Sequence, residues 1–95
     1  MRSPRLPPAL APRRAPGGRL ETHRGELFIS DRERDVVVAV NKSAAALWEL
    51  CDGATTVEEM VGAVCELSCI PVEQARDDVE RTLEELAGAG LLSME

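Results

Sequence analysis

The stretch Val36-Val37-Val38-Ala39-Val40-Asn41-Lys42-Ser43-Ala44-Ala45-Ala46-Leu47-Trp48-Glu49-Leu50-Cys51-Asp52-Gly53 changes its period in the middle. Its first five residues are apolar and mostly β-branched, the composition of a strand. After Val40 the large apolar positions fall at Ala44, Leu47, Trp48 and Cys51, the i, i+3, i+4, i+7 spacing of one helical face. Asn41 suits the N-cap and Gly53 the C-terminal stop, so a strand feeds directly into a short helix. The strand is apolar on both faces, with Val36, Val38 and Val40 on one side and Val37 and Ala39 on the other. A half-solvated strand of a small antiparallel sheet should instead alternate apolar with polar residues. Two explanations stand open: helices and a neighbouring strand cover both sides, or part of this strand awaits a partner.

Upstream, the signals are also β. Arg19 to His23 alternates, Arg24-Gly25 reads as a tight turn, and Glu26-Leu27-Phe28-Ile29-Ser30 is rich in strand formers. Asp31-Arg32-Glu33-Arg34-Asp35 is a charged loop leading into the valine strand. Residues 1–17 hold five prolines and four arginines with few large apolar groups, and they read as a disordered tail. The folded domain is therefore expected over residues 18–95.

Downstream, the period stays helical. Thr56-Val57-Glu58-Glu59 has capping-box spacing, and Val57, Met60, Val61, Val64 and Cys65 form the apolar face of a second helix. Pro71 suits the first position of a third helix, whose apolar face is Val72, Ala75, Val79, Leu83 and Leu86. Glu73, Asp77, Asp78, Glu80, Glu84 and Glu85 read as its solvated side. Gly88 and Gly90 end that helix, and Leu91-Leu92 turns back to the core. The expected class is α+β, a three-stranded antiparallel sheet followed by three helices. The second and third helices resemble a helix-turn-helix pair.

Composition narrows the function. The chain has 95 residues, 44% hydrophobic and 29% charged, enough for one globular domain with a modest core. Phe28 and Trp48 are the only aromatic residues, which leaves little to stack on bases. The first 24 residues hold six arginines against Glu21 alone, a charge of +5, so the net −6 leaves −11 on the remainder. A domain this acidic repels phosphate chains, and no nucleic acid is expected as partner. No apolar run approaches the ~18 residues of a membrane span, and the prolines interrupt any targeting helix, so the cytoplasm is the default compartment and no membrane partner is expected.

Chemistry-bearing motifs are missing: there is no Gly-rich phosphate loop, GxSxG, HExxH or CxxC. His23 has no orienting partner nearby in sequence, and Cys51, Cys65 and Cys69 lack zinc-type pairing. No catalytic residue, cofactor or metal is expected. Binding remains, and a short sheet with an apolar strand offers unpaired N–H and C=O groups to an extended peptide.

Several segments in order carry a family resemblance: the run Asn41 to Gly53, then Thr55-Thr56-Val57-Glu58-Glu59-Met60-Val61, then Glu73-Gln74-Ala75-Arg76-Asp77-Asp78-Val79, then Leu83-Glu84-Glu85-Leu86 and Gly90-Leu91-Leu92. Together they resemble the PqqD-like family, named for the small D protein of pyrroloquinoline quinone biosynthesis. The resemblance implies a winged-helix-like fold that recognises the leader peptide of a ribosomally made, post-translationally modified precursor. It implies that the leader adds as a strand antiparallel to the third strand, in the groove between that strand and the third helix. Carried onto this sequence, the peptide-binding residues are Val36, Val37, Val38, Ala39 and Val40, with Arg76, Val79 and Leu83. The partners are then a precursor leader peptide and a modifying enzyme or protease of the same pathway. The compact hairpin and the Ile29–Val36 linker look closer to stand-alone recognition proteins of lasso-peptide and related clusters than to the quinone-pathway protein. The reading from another class is a winged-helix DNA-binding protein, against which the acidic third helix argues.

Overall fold

The computed structural model describes residues 5–94. Eight elements follow in order: β1 (Arg13–Arg14), β2 (Gly18–His23), β3 (Glu26–Asp31), β4 (Val36–Val40), α1 (Lys42–Leu50), α2 (Val57–Ser68), α3 (Val72–Gly88) and β5 (Leu92–Ser93). β2, β3 and β4 form an antiparallel sheet in that order, followed by the three helices. The architecture is the expected α+β one, and the valine strand is β4, at the edge of the sheet.

Local chemistry sets these boundaries. Arg24 (φ 52°) and Gly25 (φ 82°) both take positive φ, the signature of a type I′ hairpin turn, so β2 and β3 are joined by two residues. The second hairpin closes over the buried Asp31, whose Oδ1 accepts from the amides of Glu33 (3.0 Å) and Arg34 (3.3 Å). Asn41 Oδ1 accepts from the Ala44 amide at 2.8 Å and caps α1. Thr56 and Glu59 form the reciprocal capping box at the start of α2. Pro71 sits one residue earlier than expected, at the N-cap of α3.

The core is aliphatic, built from Ile29, Leu47, Cys51, Val57, Met60, Val61, Ala75, Val79, Leu83, Leu86 and Leu91 around Trp48. Trp48 Nε1 donates to the Leu91 carbonyl at 2.9 Å, which satisfies the one polar atom the indole brings inside. Gly18 lies against the indole so closely that a Cβ there would come within 2.7 Å of Trp48 Cζ2.

Three expectations are corrected. Residues 5–17 of the expected disordered tail lie against the domain, while residues 1–4 fall outside the described residues. β1 pairs with β5, and Leu6 and Leu10 pack on the core. The carbonyls of Leu10 and Pro8 accept from the Val57 (2.8 Å) and Glu58 (3.0 Å) amides, the first two free donors of α2. Glu80, read as solvated, is 1% exposed because its Oε2 accepts from the amides of Arg5 (2.7 Å) and Leu6 (2.9 Å). Val72, read as part of the apolar face, is 50% exposed at the outer end of α3.

Candidate functional site: an open sheet edge

The pairing register shows which backbone groups of β4 are free. A two-residue hairpin closes on a hydrogen-bonded pair, here His23 with Glu26, and bonded and non-bonded pairs then alternate along the ladder. Glu26, Phe28 and Ser30 therefore turn their N–H and C=O groups toward β2, and Leu27, Ile29 and Asp31 turn theirs toward β4. Those three residues stand opposite Val40, Val38 and Val36. The N–H and C=O groups of Val37 and Ala39 consequently point away from the sheet, along its open edge. No backbone hydrogen bond from any other described segment reaches them.

The side chains obey the same alternation. Val36, Val38 and Val40 are half-buried against the core, while Val37 and Ala39 are exposed, Val37 at 68%. Of the two explanations for a strand apolar on both faces, the covering of both sides does not hold. The outer face carries Phe28 and Val37 in a shallow surface with Glu21 and His23, and among the described residues no helix lines it.

Beside the free edge runs a cleft of about 210 Å³. Val38, Ala39 and Val40 form its strand side, Ala44 and Leu86 its apolar floor, and Arg81, Thr82 and Glu85 its α3 wall. Arg81 is held there by Asp77 (3.3 Å) and Asp78 (3.0 Å), one turn or less before it. The cleft thus pairs backbone donors and acceptors on one side with an aliphatic floor and a polar helical wall on the other. That combination suits an extended peptide, which needs a ladder for its backbone and a recess for alternate side chains.

Of the residues assigned from the resemblance, Val38, Ala39 and Val40 line the cleft; Val36 and Val37 of the same strand do not, and neither do Arg76, Val79 and Leu83 of α3. Val79 and Leu83 are fully buried in the core. Arg76 turns to the other flank of α3, where its guanidinium meets Glu58 of α2 at 3.0 Å. This contact holds the Glu58 carboxyl below the usual carboxylate range. The cleft-facing residues of α3 are Arg81, Thr82 and Glu85, which sequence reasoning passed over. A helical wheel marks the inward stripe Ala75, Val79, Leu83, Leu86, but both flanks of that stripe look alike, and only the packing of the sheet distinguishes them.

The other candidate chemistries are placed as follows. Cys65 Sγ lies 3.1 Å from the Ile70 carbonyl, Cys69 is exposed, and Cys51 is buried against the Leu47 carbonyl at 3.2 Å. Burial pushes the Cys51 thiol up to about 12, far from any nucleophilic range. Among the described residues no helix is long and apolar enough to cross a membrane.

The site is thus an open edge of a three-stranded antiparallel sheet, lying beside the third of three helices in an α+β domain. The family model of Coenzyme PQQ synthesis protein D (PqqD) matches residues 26–92, and the chain belongs to that family. The matched stretch runs from β3 to the start of β5, leaving β2 and residues 5–17 outside it. No curated protein and no solved structure matches the chain at a significant level. The family is a non-catalytic accessory one, associated with PQQ-type biosynthesis of ribosomally made, modified peptides, and it implies a precursor peptide and a biosynthetic enzyme as partners.

Proposed function

We propose that the protein is a stand-alone leader-peptide recognition protein that presents a ribosomally synthesised precursor to its modifying enzyme or protease, in a PQQ-like or lasso-peptide-like pathway. The observation that carries this reading is the free edge of β4, where Val37 and Ala39 leave their backbone groups unpaired next to the cleft against α3.

In this reading the leader lies antiparallel to β4 and exchanges N–H···O=C bonds with Val37 and Ala39. Two residues with both groups free provide two donors and two acceptors. At about 0.5–1.5 kcal/mol net each, they supply roughly 2–6 kcal/mol. Apolar side chains entering over Val38, Val40 and Leu86 add about 25 cal/mol per Å² buried. The sum reaches the roughly −8 kcal/mol of micromolar binding only when both contributions are present. Backbone pairing gives affinity without sequence demand, and the floor of the cleft gives selectivity.

The test is a titration of the protein with the synthetic leader half of the precursor encoded beside its gene, and in parallel with a random DNA duplex. Saturable peptide binding with no duplex binding is expected. Absence of saturable peptide binding below about 100 micromolar, or about −5.5 kcal/mol, overturns the reading. Duplex binding would favour the DNA-binding alternative, which the carboxylates Asp77, Asp78, Glu84 and Glu85 on α3 oppose.

A further inference from the structure

A second recess begins where the cleft ends. It measures about 320 Å³ and lies among α1, α2 and α3, with Ala46 and Leu50 on one side and Ala63, Val64 and Leu67 on the other. Thr82 lines both the recess and the cleft, so the two are neighbours on α3. Lys42, in the first turn of α1 just beyond Asn41, is also among its lining residues. Leu67 is 87% exposed and Leu50 37%, so two of the four large exposed apolar side chains of the described chain border this one recess. Such clustering, rather than scattering, marks a binding surface.

β4 ends at Val40, and Lys42 and Ser43, two and three residues further on, line that recess. A strand beside β4 advances about 3.3 Å per residue, so the few residues that follow its pairing with Ala39 on the Val40 side pass Asn41 and arrive over the recess. We propose that this recess is the anchor subsite of the same peptide, taking one aliphatic or aromatic side chain from the flank that leaves β4 at Val40. The inference rests on the strand-addition reading. It makes the ligand bipartite: a short paired strand, then an apolar anchor two to four residues beyond it. A second copy of this chain is the competing occupant. It is disfavoured because the chain carries a net charge of −6, and two copies repel.

Ala46→Gln narrows the recess from an exposed helical position, and Ala39→Pro removes a free-edge donor. Affinities of both variants and the unchanged protein are measured by calorimetry for the synthetic leader half of the precursor encoded beside the gene. The same is done for versions shortened residue by residue from the flank that passes Val40. Ala46→Gln and loss of the anchoring residue are each expected to weaken binding tenfold or more, and together no more than either alone. If neither weakens binding while Ala39→Pro does, the anchor is overturned and strand addition stands. If Ala39→Pro weakens nothing, strand addition itself falls. If Ala46→Gln instead shifts the unliganded protein from dimer to monomer in light scattering, the recess belongs to a second copy and the anchor is overturned.

Discussion

The Glu80 carboxylate, buried in the middle of α3, holds the backbone amide of Arg5 at 2.7 Å across 75 residues of sequence. The same oxygen accepts from Leu6, and the carbonyls of Pro8 and Leu10 answer by capping α2. The N-terminal segment is therefore fastened from both directions. Arg5 also reaches Asp77 and Glu84, each at 3.1 Å, but solvent screens ion pairs this exposed and leaves them little weight in the fold. Glu80→Ala leaves two amides without an acceptor and is expected to cost about 1–3 kcal/mol in urea unfolding, whereas Arg5→Ala is expected to shift the unfolding midpoint much less. Equal costs would mean that the exposed charges, and not the buried carboxylate, hold the segment.

Deletion of residues 1–16 removes two caps from α2, the packing of Leu6 and Leu10, and the partner strand of β5. Lost caps at about 0.5–2 kcal/mol and two partly buried leucines add to a loss on the order of 4 kcal/mol. A domain of this size holds roughly 5–15 kcal/mol in total, so the shortened protein is expected to melt at markedly lower temperature. An unchanged melting temperature would show that the segment is dispensable to the fold.

Cys51 and Cys69 should differ sharply toward thiol reagents. Cys51 is fully buried and its thiol is pushed up to about 12 from 9.0, first by burial and then by Asp52, with Arg14 opposing; Cys69 is exposed. At pH 8, Cys69 is expected to react with an aromatic disulfide reagent within the time that Cys51 stays intact. Because the folded value lies above the unfolded one, the contribution of Cys51 to stability is complete below pH 9 and is lost as pH rises toward 12. Cys51→Ala should flatten that alkaline fall in unfolding free energy. Persistence of the same slope would assign it to other groups.

The elements that were legible in the sequence are those whose causes are local. The Thr56–Glu59 box, the Asn41 cap and the Arg24-Gly25 turn each involve residues within three positions of one another. Glu80 was illegible because its burial depends on amides 74 and 75 residues away. The prolines and arginines of the N-terminal segment describe a chain with little core of its own, and it takes its partners from α2, α3 and β5. The valine strand was recognisable as anomalous from its doubly apolar pattern. The α3 wall was not, because Arg76 and Arg81 flank the same apolar stripe and only the sheet's position separates a cleft residue from one bound to Glu58.

Proline substitutions along β4 should separate folding from docking. Val38 donates its N–H to β3, so Val38→Pro breaks the ladder beneath the core and is expected to lower the melting temperature markedly. Ala39→Pro places the missing donor on the solvent side, where edge strands tolerate it, and should retain the fold while weakening the leader peptide. Circular dichroism melts of the two variants check the order, and the reverse order would contradict the derived register.

Residue-resolved amide exchange, followed by NMR with and without the leader half of the precursor, bears most directly on strand addition. In the free protein the Val36, Val38 and Val40 amides are expected to exchange slowly and those of Val37 and Ala39 quickly. At saturating peptide the Val37 and Ala39 amides should become protected by tenfold or more, with Val38 little changed. Saturable binding that leaves Val37 and Ala39 as fast as before, with protection appearing elsewhere, would contradict docking at this edge.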